Sequence, residues 1–342
     1  MKACFVICWF GPFPEYFPVW LQTVRENPDF DFMIFTDNKK PTKYSIPDNV
    51  IIKKMTLSEF KHKSEDILNL KCSVERPYRI CDFRPMFGLI FAEELSNYDF
   101  WGYCDLDLVF GKINNFVNKD KLTKYDAIFN GGHFTLIRNV QKMNTLFSQK
   151  GGAFDYKTVA KHNAVFAFDE ITGIQQIAQK HNIKALYSIP YVDADVKYKQ
   201  LRSVMDIENP DLQCFYWEEG QLYRVKLEEK GKFFENLTYM HLQKRPIEVK
   251  GPIGKMRESF WILPDGFESK DYLGLPEEMD IKSKNPYLGQ TYMKKEAKEY
   301  RIKKIKDIIK RTPFQIYVRL VQAQNRINKN HGTVAEGQWK KY

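Results

Sequence analysis

The 342 residues contain no run of 18 apolar side chains, so no segment is apolar for long enough to span a bilayer as a helix. Six cysteines (Cys4, Cys8, Cys72, Cys81, Cys104, Cys214) include no Cys-x-x-Cys pair and lie mostly in apolar surroundings. That argues against a cysteine-based zinc site and fits reduced, buried thiols in a cytoplasmic protein. No internal repeat or low-complexity tract occurs. The apolar run that opens the chain is too short for a signal peptide and stops at Gly11-Pro-Phe-Pro14, so a first strand is expected there. Most of the chain also lacks excess charge: residues 1–290 carry 39 Lys/Arg and 39 Asp/Glu. Residues 291–342 carry 14 Lys/Arg against 4 Asp/Glu and hold the whole net charge of +10. An anionic partner is therefore sought at that tail, and nucleic acid is not among the partners expected of the body.

Aromatic residues are plentiful, at 15% of the chain, and the length allows one large core or two smaller ones. Cys4 to Trp9, Asp31 to Thr36 and Val50 to Met55 form apolar strands. Phe17–Val24 and Leu57–Leu70 between and after them have helical spacing. This rhythm predicts an α/β fold with a mostly parallel central sheet and helices on both faces. Ligands of such sheets gather beyond the carboxyl ends of the strands.

The chain is organised around Tyr98 to Cys104, an apolar strand that runs into Asp105-Leu-Asp107. In an extended chain Asp105 and Asp107 share one side, while Leu106 points into the core. Two carboxylates about 5 Å apart repel by roughly 3 kcal/mol at an effective dielectric near 20, so the pair calls for a cation. Oxygen ligands of this kind suit Mg²⁺ or Mn²⁺, ions that usually serve phosphates.

Upstream, Arg76, Arg79, Asp82 and Arg84 crowd the turn before an expected helix that opens at Pro85 and carries Phe87, Ile90, Phe91 and Leu95. They are either a surface ion-pair cluster or a diphosphate clamp, the latter favoured for Arg79 and Arg84. Downstream, Asp126–Asn130 forms a strand. Gly131-Gly132-His133 follows it, either letting the backbone approach a ligand or making a plain hairpin turn. Asp169 and Glu170 precede a helix over 171–179. Asp169 is placed to cap it, and Glu170 is the better base or acceptor-binding group. Residues 185–235 show short strands without a motif. His241, followed by Lys244 and Arg245, suits a third metal ligand beside a phosphate-gripping lysine. Residues 251–290 look irregular. Residues 291–342 form a basic helical extension with Ile302, Ile305 and Ile309 on one face and a second stripe at Phe314, Tyr317, Val318 and Val321. Either the tail packs on the domain or on a partner, or it lies on an anionic membrane surface; the membrane is favoured.

Taken in order, five segments resemble the metal-dependent GT-A glycosyltransferases of bacterial surface-polysaccharide synthesis, the capsule and O-antigen enzymes, over about residues 1–250. They are Arg79-Ile-Cys-Asp-Phe-Arg-Pro85, Tyr103-Cys-Asp-Leu-Asp107, Gly132-His-Phe-Thr-Leu-Ile-Arg-Asn139, Phe168-Asp-Glu170 and Met240-His-Leu-Gln-Lys-Arg245. The resemblance implies a GT-A fold, a nucleotide-sugar donor (a UDP-sugar) and a hydroxyl acceptor on a glycan or lipid-linked glycan. It implies Mn²⁺ or Mg²⁺ held by Asp105, Asp107 and His241. Phe10, Gly11, Thr36, Asp37, Arg79, Asp82, Arg84, Leu106 and Lys244 would line the donor. Gly132 and His133 would face the acceptor, with Glu170, then Asp169, as the base. The implied setting is the cytoplasm, peripheral to the inner membrane face. Asp105-Leu-Asp-Leu-Val109 also resembles the nucleophile motif of haloacid-dehalogenase-like phosphatases, although several strands precede it here. A non-catalytic glycan-binding scaffold is the remaining alternative.

Overall fold

The computed structural model describes every residue except 40, 42, 205–208, 244, 330–339 and 342; at 290–292, 326–329 and 340–341 it describes backbone alone. Its first part supplies strands β1 (Ala3–Trp9), β2 (Phe30–Thr36), β3 (Val50–Lys54), β4 (Phe100–Cys104), β5 (Leu108–Phe110), β6 (Ala127–Phe129), β7 (Phe134–Arg138), β8 (Ala185–Leu186) and β9 (Tyr191–Asp193). Seven of them form one sheet in the order β3-β2-β1-β4-β7-β6-β8. Only β7 runs against its neighbours.

Both faces of this sheet are covered, which is why its strands are apolar throughout instead of alternating. The period of two divides each strand between two cores. Cys4, Val6, Met33, Phe35, Trp101 and Tyr103 enter one, with Phe60 of the helix Leu57–Leu68. Phe5, Ile7, Phe32, Ile34 and Phe100 enter the other, with Trp20 and Val24 of the helix Phe17–Arg25. From β1 the chain winds outward through β2 and β3, then returns to place β4 on the other side of β1. The strand order therefore reverses between β1 and β4, and the crevice at their carboxyl ends is where such sheets bind ligands.

The later chain carries the strands expected over 185–235 and departs from the irregularity expected of 251–290. It supplies β10 (Leu212–Glu218), β11 (Gln221–Glu228), β12 (Gly231–Leu237), β13 (Tyr239–His241), β14 (Glu248–Lys250), β15 (Ser259–Leu263), β16 (Gly266–Ser269) and β17 (Lys340–Lys341). A second sheet, β14-β16-β15-β10-β11-β12-β17, takes all of these but β13. Thus 185–235 carries strands of seven and eight residues, and 251–290 carries β15, β16 and a helix, Glu278–Ser283. A third, small sheet, β5-β13-β9, joins the two.

One further expectation is corrected: the helix after Pro85 is only Phe87–Ile90, preceded by a 3-10 segment Pro77–Met86 that contains Pro85. The tail is helical as expected, in two helices parted before Pro313, Gln290–Ile309 and Pro313–Lys329. The second packs on the domain: Val318 is buried in the first core, and the Gln322 amide donates to the Val165 carbonyl at 2.8 Å.

Arg79 and Asp82, expected at the donor, belong to the interior, and each side chain is fully buried. Arg79 pairs with Asp82 and donates to the Val159 carbonyl at 2.7 Å. Asp82 accepts the backbone N–H groups of Phe166 and Phe168 at 3.0 Å. Removing one partner of a buried pair strands the other charge, a loss of about 3–5 kcal/mol. Arg79→Met should therefore lower the free energy of urea unfolding by that order, and a loss under about 1 kcal/mol would contradict this assignment.

Candidate functional site

The strand-to-turn transition at the end of β4 sets the first two side chains. Cys104 closes the strand, and Asp105-Leu106-Asp107 makes a turn into β5 in place of the expected extended segment. Leu106 is buried in the second core, as its apolar side chain requires. The two carboxylates are left at the surface of a cleft of about 3440 Å³ that runs between the first sheet, the second sheet and the helix Gln290–Ile309.

His241 arrives from 134 residues further on because β13 pairs antiparallel with β5, setting His241 against Leu108, and parallel with β9, setting it against Asp193. Its Nε2 lies 3.4 Å from Asp107 Oδ1 and 3.9 Å from Asp105 Oδ2. Its Nδ1 lies 2.8 Å from Asp193 Oδ1, which also accepts from the Gln243 amide at 2.6 Å. Burial opposes a charge on His241, but Asp107 and Asp193 outweigh it and raise the imidazole well above its ordinary value. Asp193 shows the converse: burial pushes it up, but the bond from His241, first among the neighbours that oppose burial, brings it below its ordinary value.

One ligand atom from each of Asp105, Asp107 and His241 falls within 4.8 Å of the others. Two oxygens and an imidazole nitrogen at that spacing are the donor set of a borderline-hard divalent ion. A carboxylate on the far imidazole nitrogen is the usual support of a metal-ligating histidine. The residues present therefore fit Mn²⁺ or Mg²⁺. His133, Asp193 and His241 form a second group of the same spacing. There, however, Asp193 already holds His241 Nδ1, and Tyr239 Oη lies 3.1 Å from His133 Nδ1.

His133 lines the cleft but offers it little surface. It is buried, its ring centroid lies 4.3 Å from that of His241, and burial first, then His241, lowers its pKa to about 3. It stays neutral and packs the side of the ligand histidine.

Arg84, foreseen as a diphosphate clamp, is committed to carboxylates. Its guanidinium pairs with Asp105, lies 3.2 Å from Asp169 Oδ2, and donates to the Gly132 carbonyl at 2.7 Å. Asp169 does not cap a helix, since the next one starts at Ile174 with Gly173 at its cap. Asp169 is buried beside Arg84; burial pushes its carboxyl well above the ordinary range and Arg84 pulls it back in part. Glu170 reaches the cleft and is half-buried.

The turn Asn130–His133 closes the β6–β7 hairpin, with Gly131 at φ 73°. At Gly132 a Cβ would stand 2.5 Å from Glu170 Cγ and 2.7 Å from Asp169 Oδ2. The segment is the hairpin turn of the two readings, and what its backbone approaches closely is the Asp169–Glu170 pair.

Of the remaining predicted donor residues, Phe10 lines the cleft from the first core. Thr36 is fully buried, and its hydroxyl accepts from the Asn38 amide at 2.8 Å. Asp37 holds the first turn by accepting from the Gly11 N–H at 2.9 Å. Lys244 lies outside the described residues. Asp193 was missed, although Tyr191-Val-Asp-Ala-Asp195 repeats the Asp-x-Asp spacing and was a usable signal.

Gly132→Ala should force Asp169 and Glu170 apart and cost about 1–3 kcal/mol in thermal or urea unfolding, as overpacking of a filled site does. An unchanged midpoint would show that the acidic pair has room to move.

A model of a family of unknown function (DUF6625) matches residues 5–271. No curated protein matches the chain. Among solved structures, a galactosyltransferase, LgtC, determined in complex with donor and acceptor sugar analogues, aligns at 10% identity and a TM-score of 0.29. The alignment covers 56% of this chain and 76% of that one, and at that TM-score it carries no weight for fold or function.

Proposed function

The chain belongs to the DUF6625 family, a family of unknown function, and we propose that it is a metal-dependent glycosyltransferase of the GT-A type. Its donor on this reading is a nucleotide-sugar, a UDP-sugar by sequence resemblance. Its acceptor is a hydroxyl of a glycan or lipid-linked glycan of the surface-polysaccharide class. The observation that carries the proposal is the convergence of Asp105, Asp107 and His241 Nε2 at the β1/β4 crevice. An acidic turn at a strand end is common; one completed by an imidazole whose other nitrogen is held by a half-buried carboxylate is much more specific.

A divalent ion in that site supplies Lewis-acid neutralisation of the diphosphate leaving group. The protein's own residues do the rest. Asp193 fixes the tautomer and ring plane of His241, so that Nε2 faces the two carboxylates. Arg84 holds Asp105 in register and ties it to Asp169, which keeps both acidic elements at one place in the cleft. Glu170 stands where an acceptor hydroxyl can reach it and is the residue assigned to take the proton in an inverting transfer. Trp9, Phe10 and Tyr16 line the cleft and offer flat aromatic surfaces beside the acidic turn.

Isothermal titration of UDP tests the proposal. UDP should bind in the presence of Mn²⁺ and lose that binding in EDTA or in Asp107→Ala. Asp193→Asn should weaken Mn²⁺ itself by about 10- to 100-fold. Equal UDP binding with and without the ion would overturn the assignment. An unchanged Mn²⁺ affinity in Asp193→Asn would remove Asp193 from it.

A further inference from the structure

The helix Gln290–Ile309 is turned the wrong way for one that covers a core. Toward the protein it presents Glu296, Glu299, Tyr300, Lys303 and Lys304, which line the cleft. Ile302, Ile305, Ile308 and Ile309 are exposed, by 45%, 58%, 45% and 78%. At about 100° per residue these four fall in one arc of roughly 120°, on the side of the helix away from the cleft-lining residues. Exposed Lys298 and Arg301 lie within that arc, and exposed Lys295 and Lys306 border it. The three acids of this helix, Glu296, Glu299 and Asp307, all fall on the opposite side of the wheel.

An apolar arc studded with long cationic side chains and cleared of carboxylates matches an anionic amphiphilic surface, where isoleucines enter the interface and Lys and Arg stems snorkel to headgroups. The helix after it is anchored on the domain through Val318 and Gln322, and within Gln290–Ile309 itself Glu296 accepts from the Lys199 N–H at 3.1 Å. We infer that the outer face of Gln290–Ile309 docks the protein on an anionic lipid bilayer. The same helix forms a wall of the cleft, so docking sets the cleft beside the membrane surface. No helix among the described residues is long and apolar enough to cross a membrane, so the contact is peripheral.

The test is co-sedimentation of the full chain with phosphatidylcholine vesicles, with and without phosphatidylglycerol. Binding should be at least about tenfold tighter to the anionic vesicles and should weaken as salt rises. Ile305→Ser with Ile309→Ser, and separately Lys298→Glu with Arg301→Glu, should each abolish it while leaving the thermal midpoint and UDP binding unchanged. Absent binding, equal binding to neutral vesicles, or undiminished binding by both variants would overturn the inference. So would a concentration-dependent dimer abolished by the serine variant, which would make this face a contact between copies of the chain. Because UDP binding is read separately, the outcome is independent of the metal site's chemistry.

Discussion

Everything at the site depends on the register of one three-residue strand. Tyr239–His241 is held on one edge by Leu108–Phe110 and on the other by Tyr191–Asp193. Side chains alternate with a period of two, so a slip of one residue would turn His241 to the opposite face and put Met240 or Leu242 against the acidic turn. Register is specified strongly only where one face is buried. Here it is: Tyr239 stacks on Phe134 in the second core, and Met240 is buried on the other side in a cluster with Val109 and Val192. The packing of two apolar neighbours therefore sets the position of a chemically active imidazole.

Two arginines five residues apart show how the same side chain serves the site or the fold according to which side of a short helix it leaves. Both belong to the 3-10 segment Pro77–Met86. Arg79 turns inward, pairs with Asp82, and through it fixes the Phe166–Phe168 backbone. Arg84 turns to the cleft and links Asp105 to Asp169. The Phe166–Phe168 segment leads directly into Asp169 and Glu170, so the inward arginine supports from behind the acidic residues that the outward one holds from the front. One segment thus positions both carboxylate elements.

The first sheet was legible in the sequence because burial on both faces makes its strands continuous apolar runs, as in Phe32–Phe35 and Phe100–Cys104. The second sheet was not. Gln221–Glu228 mixes Arg224, Lys226 and Glu228 into a strand apolar on only one side, and 251–288 is punctuated by proline and glycine. Asp105, Asp107 and His241 could be named from residue type and context. That they meet could not be derived from spacing, because it follows from pairing between segments far apart in the chain. Arg79 and Asp82 looked like ligand groups for the reason that Arg84 does, and composition alone does not reveal which guanidinium faces inward. Asp193 was passed over because its strand is only three residues long and shows no apolar periodicity, so the Asp-x-Asp spacing of Asp193 and Asp195 was its one signal.

The second sheet and the basic helix add what the first sheet lacks, the far walls of a long cleft. A crevice at a strand switch point can seat a nucleotide without them; a larger acceptor needs a second surface. At the near end of that cleft, the acidic turn and the imidazole are proposed to share one ion. Electron spin-echo spectroscopy of the Mn²⁺-loaded protein tests it most directly. It should show coupling to one histidine nitrogen that disappears in His241→Gln while the fold is retained. Mn²⁺ bound with no nitrogen coupling, or coupling that survives the substitution, would contradict it.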